Sequence, residues 1–400
     1  MKKLFLALLG GGMLLAFSSC EKSDSFVEEA PENIVLQDLK SGDIIPGQYV
    51  VVFKESALKD VVPENLPYKE KLAMVNDRAE KILEEVAIEQ YKMQQTYASA
   101  LKGFSIELSD EDADKVSKSE DVKYMIPDRI FILRPPWENP DPDPEPEGQE
   151  TPYGIARVGT GDGTGKVAWI LDTGIDLDHP DLNVDQTRGV NFVRTTKAPD
   201  DDNGHGSHCA GIVAAKDNDI GVVGVAAGAT VVPIKVLDRR GSGAYSGIIA
   251  GIDYVAATAA SGDAANMSLG GGAYLAIDEA VAAAADKGIL FALAAGNEST
   301  DANSKSPARV NGANIFTISA MDSNDEWAYF SNYGNPPIDF CEPGVNIYST
   351  YKGGGYTSMS GTSMAAPHMC GILLMTNGAP KTDGFVSGDP DGDPDPIGTL

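Results

Sequence analysis

Four short polar motifs carry the residue types that nucleophilic catalysis needs. Leu171-Asp172-Thr173-Gly174 ends an apolar run in a carboxylate, and Gly204-His205-Gly206-Ser207-His208-Cys209-Ala210-Gly211 opens an apolar helix. Ala294-Ala295-Gly296-Asn297-Glu298 places an amide after a third apolar run, and Ser360-Gly361-Thr362-Ser363-Met364-Ala365-Ala366-Pro367-His368 puts a hydroxyl at a glycine-led helix start. A serine hydroxyl is a poor nucleophile until a base takes its proton. The base in turn needs a third group to fix its tautomer and steady its charge. A carboxamide can donate to an oxyanion. Each motif alone is ordinary, because a strand-end Asp, a His at a helix start and a Gly-Thr-Ser turn are common as caps and hydrogen-bonders. Their conjunction in the order Asp, His, Asn, Ser is what is specific. Asp176 and Asp178 compete with Asp172, but only Asp172 directly ends the run. His208 lies one helical turn from His205 and faces the same side. A zinc reading of that histidine pair needs Glu after the first His and a four-residue step; here Gly206 follows and the step is three.

The elements around the motifs predict how they are held. From Thr151 the chain is rich in Ala, Gly and Val, with buried strands expected at 166–171, 231–237 and 288–294. Helical stretches at 248–260 and 277–287 lie between or after them. Strands alternating with helices predict an α/β domain with a doubly wound, mainly parallel sheet over residues 149–400, functional groups lying just past the strand ends.

The first part of the chain differs. Lys2, Lys3 and an apolar stretch at 4–17 read as an export signal, and the small residues before Cys20 resemble a bacterial lipobox, so a lipid anchor on Cys20 is expected. The expected location is an exported one, outer-membrane lipoprotein or secreted. Residues 21–46 are a polar tether. Residues 47–134 read as a small α+β unit: a β-rich run at 49–53, helical spacing of Leu72, Val75, Ala79, Ile82, Leu83 and Val86, alternation at 104–108, a short helix at 110–119, and strand-like runs at 122–126 and 130–133. We read this as the β-α-β-β-α-β, ferredoxin-like order. The acidic, proline-alternating stretch 135–148 is a linker and domain boundary. Overall, 400 residues carry a net charge of −28, which argues against nucleic acid as partner, and four cysteines are too few for a disulfide scaffold.

The four motifs resemble those of the subtilisin superfamily of serine proteases, nearest in wording to the proteinase K branch; the Asp, His, Ser order is the one known for that family. The resemblance runs from about Gln149 to Thr376. It implies Asp172 as orienting acid, His205 as general base, Ser363 as nucleophile and Asn297 as oxyanion donor, with His179, His208 and His368 structural. Ser268, Leu269 and Gly270, and Gly241, Ser242 and Gly243, resemble the two backbone edges between which substrate would add a strand; Gly296 joins them as a substrate-binding position. The resemblance also implies a structural calcium held by the Gln149, Asp181 and Asn218 side chains and the carbonyls of Lys216, Ile220 and Val222, with Asp339 at a second, weaker cation position. The unit at 47–134 resembles the family's inhibitor-type propeptide, whose last strand, here 130–134, blocks the site, with self-cleavage near Leu133 or Arg134. The implied protein is a monomeric, calcium-stabilised serine endopeptidase made as a zymogen, acting on polypeptides and held at a membrane by its lipid. A binding lipoprotein with a dead protease shell and a metal hydrolase are the rival readings.

Departures from the family stand out. Glu342 replaces a usual alanine, Met369-Cys370 replaces small aliphatics, and only 37 residues follow Ser363, so the last helices are missing or altered. The acidic run 389–395 reads as a solvated end. The sequence leaves open whether Cys341 and Cys370 pair. Cys209 sits beside His205, and Lys305 falls at the base of the expected primary specificity pocket with Glu298 on its rim.

Overall fold

The computed structural model describes residues 39–58, 62–63, 65–133 and 148–400. The export signal, most of the tether, Arg134 and the linker up to residue 147 lie outside the described residues.

The apolar run at 49–53 is hydrophobic on both faces, and each face has its own use. Side chains alternate along a strand. In Ile44–Phe53, Val51 and Phe53 face a core with Val75, Ile82 and Phe104 beneath the helix Tyr68–Glu85. Val50 and Val52 instead join Tyr245, Ile248 and Ile249 of the larger domain. The small unit thus shares one of the larger domain's hydrophobic clusters. Its sheet order is Lys92–Tyr97, Gly103–Glu107, Ile44–Phe53, Val122–Ile132, and then Ser242–Ala244 from the larger domain, all antiparallel. The β-α-β-β-α-β order holds for reasons the runs did not reveal. Lys92–Tyr97, with its KMQQTY sequence, is an unanticipated strand. The two runs at 122–126 and 130–133 are one strand, Val122–Ile132. Helix Asp110–Ser117 starts where Ser109 Oγ accepts Asp112 N at 3.1 Å and three acids occupy the first turn.

The larger domain is the expected α/β sheet. Its central strands run 338–343, 315–321, 290–294, 264–267, 167–172, 230–235, mutually parallel. Alternation along Val167–Asp172 sends Ala168 and Ile170 to one hydrophobic cluster and Trp169 and Leu171 to the other, so helices cover both faces. Of these central strands, the next in sequence, 230–235, lies on one side of Val167–Asp172, and the following one, 264–267, on the other. Asp172 therefore ends the strand at the switch point, where open α/β sheets leave a crevice.

The acidic run 389–395 is exposed at residues 390–394, as expected of a solvated end, but not at Asp395. After an Asn377 cap in the left-handed region (φ 51°), the chain forms a hairpin of Lys381–Phe385 and Pro396–Thr399, and the second strand joins the main sheet beside Ile338–Pro343. Asp395 is buried, with Ser319 Oγ donating to its Oδ2 at 2.5 Å. Glu342 is fully buried beneath this strand, and its Oε1 accepts Gly398 N at 3.1 Å. An alanine there could not reach Gly398. Arg157 ties the hairpin down through Asp325 Oδ1 at 2.9 Å and Asp383 Oδ2 at 3.2 Å. Cys341 and Cys370 do not pair; both are free and buried.

Burial holds the Glu342 carboxyl well above the ordinary glutamate value of 4.5. A raised folded-state pKa means that folding retains the proton, so the contribution of Glu342 to stability is full in acid and is lost as pH rises from about 4.5 through the folded value. Glu342→Gln, neutral at every pH, should flatten this decline in urea-unfolding free energy measured between pH 5 and 9; an unaltered pH profile would count against it.

Candidate active site

Each candidate residue is placed by a different element. Asp172 is carried to full burial by its strand. His205 opens the helix His205–Ala214, and Ser363 lies in the first turn of Thr362–Thr376. His205 Nδ1 sits 2.8 and 2.9 Å from the Asp172 carboxylate oxygens. With its proton on Nδ1, donated to Asp172, the imidazole presents Nε2 as acceptor. The helix start is fixed by groups the motif reading missed. Buried Asp201 accepts Gly204 N at 2.9 Å, Ser207 N at 2.9 Å and Ser207 Oγ at 2.7 Å. Thr173 Oγ1 donates to Asp201 Oδ1 at 2.9 Å and accepts Gly206 N at 2.9 Å. Three successive acids, 200–202, just before a helix start were a legible capping signal. Gly204 has φ 116°, and a Cβ there would meet the Tyr351 ring at 2.0 Å, so only glycine lets the chain enter this helix.

Ser363 Oγ donates to Ser268 O at 3.2 Å, and no hydrogen bond joins it to His205 among the described residues. Asn297 Oδ1 accepts Thr362 N at 2.9 Å and Thr362 Oγ1 at 3.0 Å, which leaves its NH2 as the donor half of the amide. Ser363 N lies in a helix's first turn, where N–H groups lack intrahelical partners. His205, Asn297 and Ser363 line one cleft of about 510 Å³ with Ser268, Leu269, Gly270 and Gly296. Burial alone would depress the His205 pKa, but the Asp172 carboxylate, with a smaller contribution from Cys209, more than offsets this and leaves it well above 6.5.

The other histidines face elsewhere. His208 Nε2 lies 3.0 Å from Ile347 O and 3.1 Å from Thr357 O, and burial followed by the charge of His205 holds its pKa down at about 3. His179 Nε2 meets Gly355 O at 3.0 Å, and His368 Nδ1 meets Met364 O at 2.8 Å. Among the described residues the grouping a metal could span by His, Cys, Asp or Glu is Asp172, His205 and Cys209, not the His205/His208 pair. Cys209 Sγ is 4.0 Å from His205 Nδ1 and 3.4 Å from Ser363 O, and burial raises its thiol pKa.

One of the two expected substrate edges is occupied. Ile130, Phe131 and Ile132 pair with Ala244, Gly243 and Ser242, and Leu133 N donates to Gly241 O at 2.8 Å. Ser268, Leu269 and Gly270 line the cleft without pairing to this segment among the described residues. A second contact was not legible from the motifs. Asp253, buried on helix Tyr245–Thr258, accepts Ala98 N at 2.8 Å, Ser99 N at 2.8 Å, Ala100 N at 2.6 Å and Leu101 N at 3.2 Å, and also Tyr68 OH at 2.8 Å.

The three residues whose side chains are expected to bind calcium, Gln149, Asp181 and Asn218, are linked by hydrogen bonds. Asn218 Nδ2 donates to Asp181 Oδ1 at 2.8 Å, Val222 N donates to Asp181 Oδ2 at 3.0 Å, and Gln149 Oε1 accepts Asn218 N. Ile220 N donates to Asn218 Oδ1 at 2.8 Å, and Lys216 N to Asp181 O at 3.0 Å. Asp181 is fully buried, and burial raises its pKa against the opposing pull of Val222 N, the Asn218 amide and His179. A buried carboxylate with the side-chain amide oxygens of Gln149 and Asn218 close by offers oxygens of the kind calcium takes. Asp339 accepts Thr317 N at 2.8 Å and belongs to no cluster of three or more His, Cys, Asp or Glu side chains among the described residues.

The subtilase family profile matches residues 163–382, and the peptidase inhibitor I9 profile matches residues 48–133. This chain belongs to the subtilase family. The subtilase is 35% identical over 391 residues to an extracellular serine proteinase of Thermus sp. (strain Rt41A), covering 94% of this chain and 90% of that one. It is 32% identical over 359 residues to the alkaline serine protease ver112 of Corniculantispora psalliotae, covering 86% and 83%. A solved cold-adapted subtilisin-like serine proteinase superposes with a TM-score of 0.52 at 37% identity, over 56% of this chain and 84% of that one. The subtilase is thus a serine-type endopeptidase with an I9 inhibitor unit ahead of it.

A protonated His205 cannot accept a proton, and its raised pKa moves the loss of activity to higher pH than a free imidazole would give. The acid limb of kcat/KM should therefore lie above pH 6.5 and fall to lower pH in Asp172→Asn, along with a large loss of rate. An acid limb in the same place in both enzymes would contradict this origin.

Proposed function

We propose that the chain is an exported zymogen that hydrolyses peptide bonds through Asp172, His205 and Ser363. The observation that carries the reading is the His205–Asp172 pair beside Ser363 in a cleft where a polypeptide strand already lies along Ser242–Ala244. The export signal, the I9 unit and the extracellular relative from Thermus support secretion; the lipid on Cys20 rests on the sequence alone.

In the proposed reaction Ser363 Oγ leaves the Ser268 carbonyl and turns to His205 Nε2. Nε2 takes the hydroxyl proton as Oγ bonds to the substrate carbonyl carbon. The oxyanion that forms is held by Asn297 Nδ2–H and Ser363 N–H. The imidazolium, steadied by Asp172, returns the proton to the leaving amine as the C–N bond breaks. Water, deprotonated by the same Nε2, then attacks the acyl-enzyme and frees Ser363. The docked segment Ile130–Leu133 and the grip of Asp253 on residues 98–101 support an inhibitory role for the N-terminal unit. Calcium would be held by Asp181, Asn218, Gln149 and the carbonyls of the 216–222 loop, where its charge would offset the buried carboxylate of Asp181.

An organophosphate or sulfonyl fluoride should label Ser363, as mapped by mass spectrometry, with loss of casein hydrolysis; no adduct on the enzyme freed of its N-terminal unit would exclude this reading and favour a non-catalytic shell. Asn297→Leu should lower kcat by about 10²–10³-fold, the known effect at the corresponding amide of subtilisin. Its near-full activity would remove the amide from the mechanism. Calcium chelation should lower Tm in the wild-type enzyme and not in Asp181→Ala. Equal sensitivity of both to chelator would place the metal elsewhere.

A further inference from the structure

The cleft that holds Ser363 is also lined by Gly271, Gly272, Gly296, Glu298 and Lys305. Phe131, Ile132 and Leu133 line the same cleft as Ser363, so a peptide laid along Ser242–Ala244 as they are reaches it. The side chain of its residue just ahead of the scissile bond then has this part of the cleft to enter. Beside these three glycines Glu298 and Lys305 are the long charged side chains, so they decide what this part of the cleft offers.

Lys305 is directed there by strand pairing. The short strands Gly271–Gly272 and Lys305–Ser306 are antiparallel, with Gly272 opposite Lys305. Opposed residues of such a pair project from the same face. A Cβ at Gly272 would meet nothing within 4 Å, so Lys305 leans over open space. Its Nζ lies 3.0 Å from Glu298 Oε1, and the two side chains are 18% and 43% exposed. The lysine therefore does not reach out into solvent, and it is the deeper of the two charges. Glu298 is held in turn: fully buried Asn332 donates from Nδ2 to Glu298 Oε2 at 2.8 Å and accepts Glu298 N at 3.1 Å. Turning the carboxylate away would cost both the ion pair and the Asn332 bond.

We propose that the Lys305–Glu298 ion pair sets the primary specificity of the enzyme by barring lysine and arginine from the position ahead of the scissile bond. The inference rests on the peptidase reading above. An incoming ammonium or guanidinium finds Glu298 already neutralised and a second cation beside it, in a pocket where screening by water is reduced. An incoming carboxylate meets Glu298 at the mouth. Uncharged side chains disturb neither partner and are favoured.

The test uses peptides identical except for Leu, Lys or Glu at that position, with the full chain assayed for kcat/KM after its N-terminal unit has been displaced. The wild-type enzyme should prefer Leu over Lys and over Glu by about tenfold or more. Lys305→Met keeps the length and removes the charge; it should raise the Lys/Leu ratio about tenfold, because Glu298 then meets the substrate cation. Glu298→Gln should instead raise the Glu/Leu ratio by about the same factor. Ratios compare substrates on one preparation, so partial misfolding of a variant does not alter them. Ratios unchanged within about twofold in both variants, or a wild-type preference for Lys, would overturn the proposal. Failure to cleave even the Leu peptide, with Ser363 unlabelled, would overturn the peptidase reading instead.

Discussion

A carboxylate with no exposure at the end of a parallel strand is costly unless its oxygens are bonded. Asp172 meets that demand with Thr173 N at 2.7 Å and the His205 ring at 2.8 and 2.9 Å. The rest of the domain can be read as the means of keeping those partners in place. The strand ends at the sheet's switch point, so the carboxylate faces a crevice rather than a helix. The crevice is bordered by the starts of two helices, one carrying His205 and the other Ser363. Both helices are led by glycine and almost wholly buried, so neither can shift without disturbing the core beneath it.

The same economy of buried charge recurs where the small N-terminal unit meets the larger domain. Asp253 is the larger domain's contribution, and four consecutive backbone N–H groups of the small unit converge on it. Those groups would otherwise be orphaned at an apolar contact. Charge-assisted bonds of this kind are strong and directional, so they fix the angle of approach while Val50, Val52 and Phe131 supply the apolar area. The strand Val122–Ile132 then extends across the boundary to the cleft. Ser363 meanwhile donates to Ser268 rather than to His205, so the hydroxyl must turn before it reacts.

At the far edge of the sheet, burial of acids has a different outcome. Among the described residues, Glu342 and Asp395 are buried with no ion pair to either carboxylate: Glu342 Oε1 accepts Gly398 N while its Oε2 has no hydrogen-bond partner, and Asp395 Oδ2 accepts Ser319 Oγ. Burial pushes the Asp395 carboxyl up to about 7. They hold the C-terminal hairpin, and its docking explains why a bulky acid stands in a position where the family usually has alanine.

Much of this was legible in the sequence. The fold class followed from the alternation of apolar strands with Ala-rich helices, and the four polar motifs marked strand ends and helix starts, where local composition decides structure. The family resemblance then named a role for each residue. Other features were beyond it because they depend on partners distant in the chain. Lys92–Tyr97 is a strand only because its neighbour is an edge; its own residues are polar and weakly β-forming. Asp253 could have been a surface acid until residues 98–101 were laid against it. The acidic run 389–395 reads as solvated because its charge is local, whereas the burial of Asp395 depends on a strand 76 residues away. Sequence by itself determined which residues could do chemistry and which elements would carry them. Only the tertiary structure decided which charges face each other, because the dielectric and the partners that set a buried group's state come from the packing of remote segments.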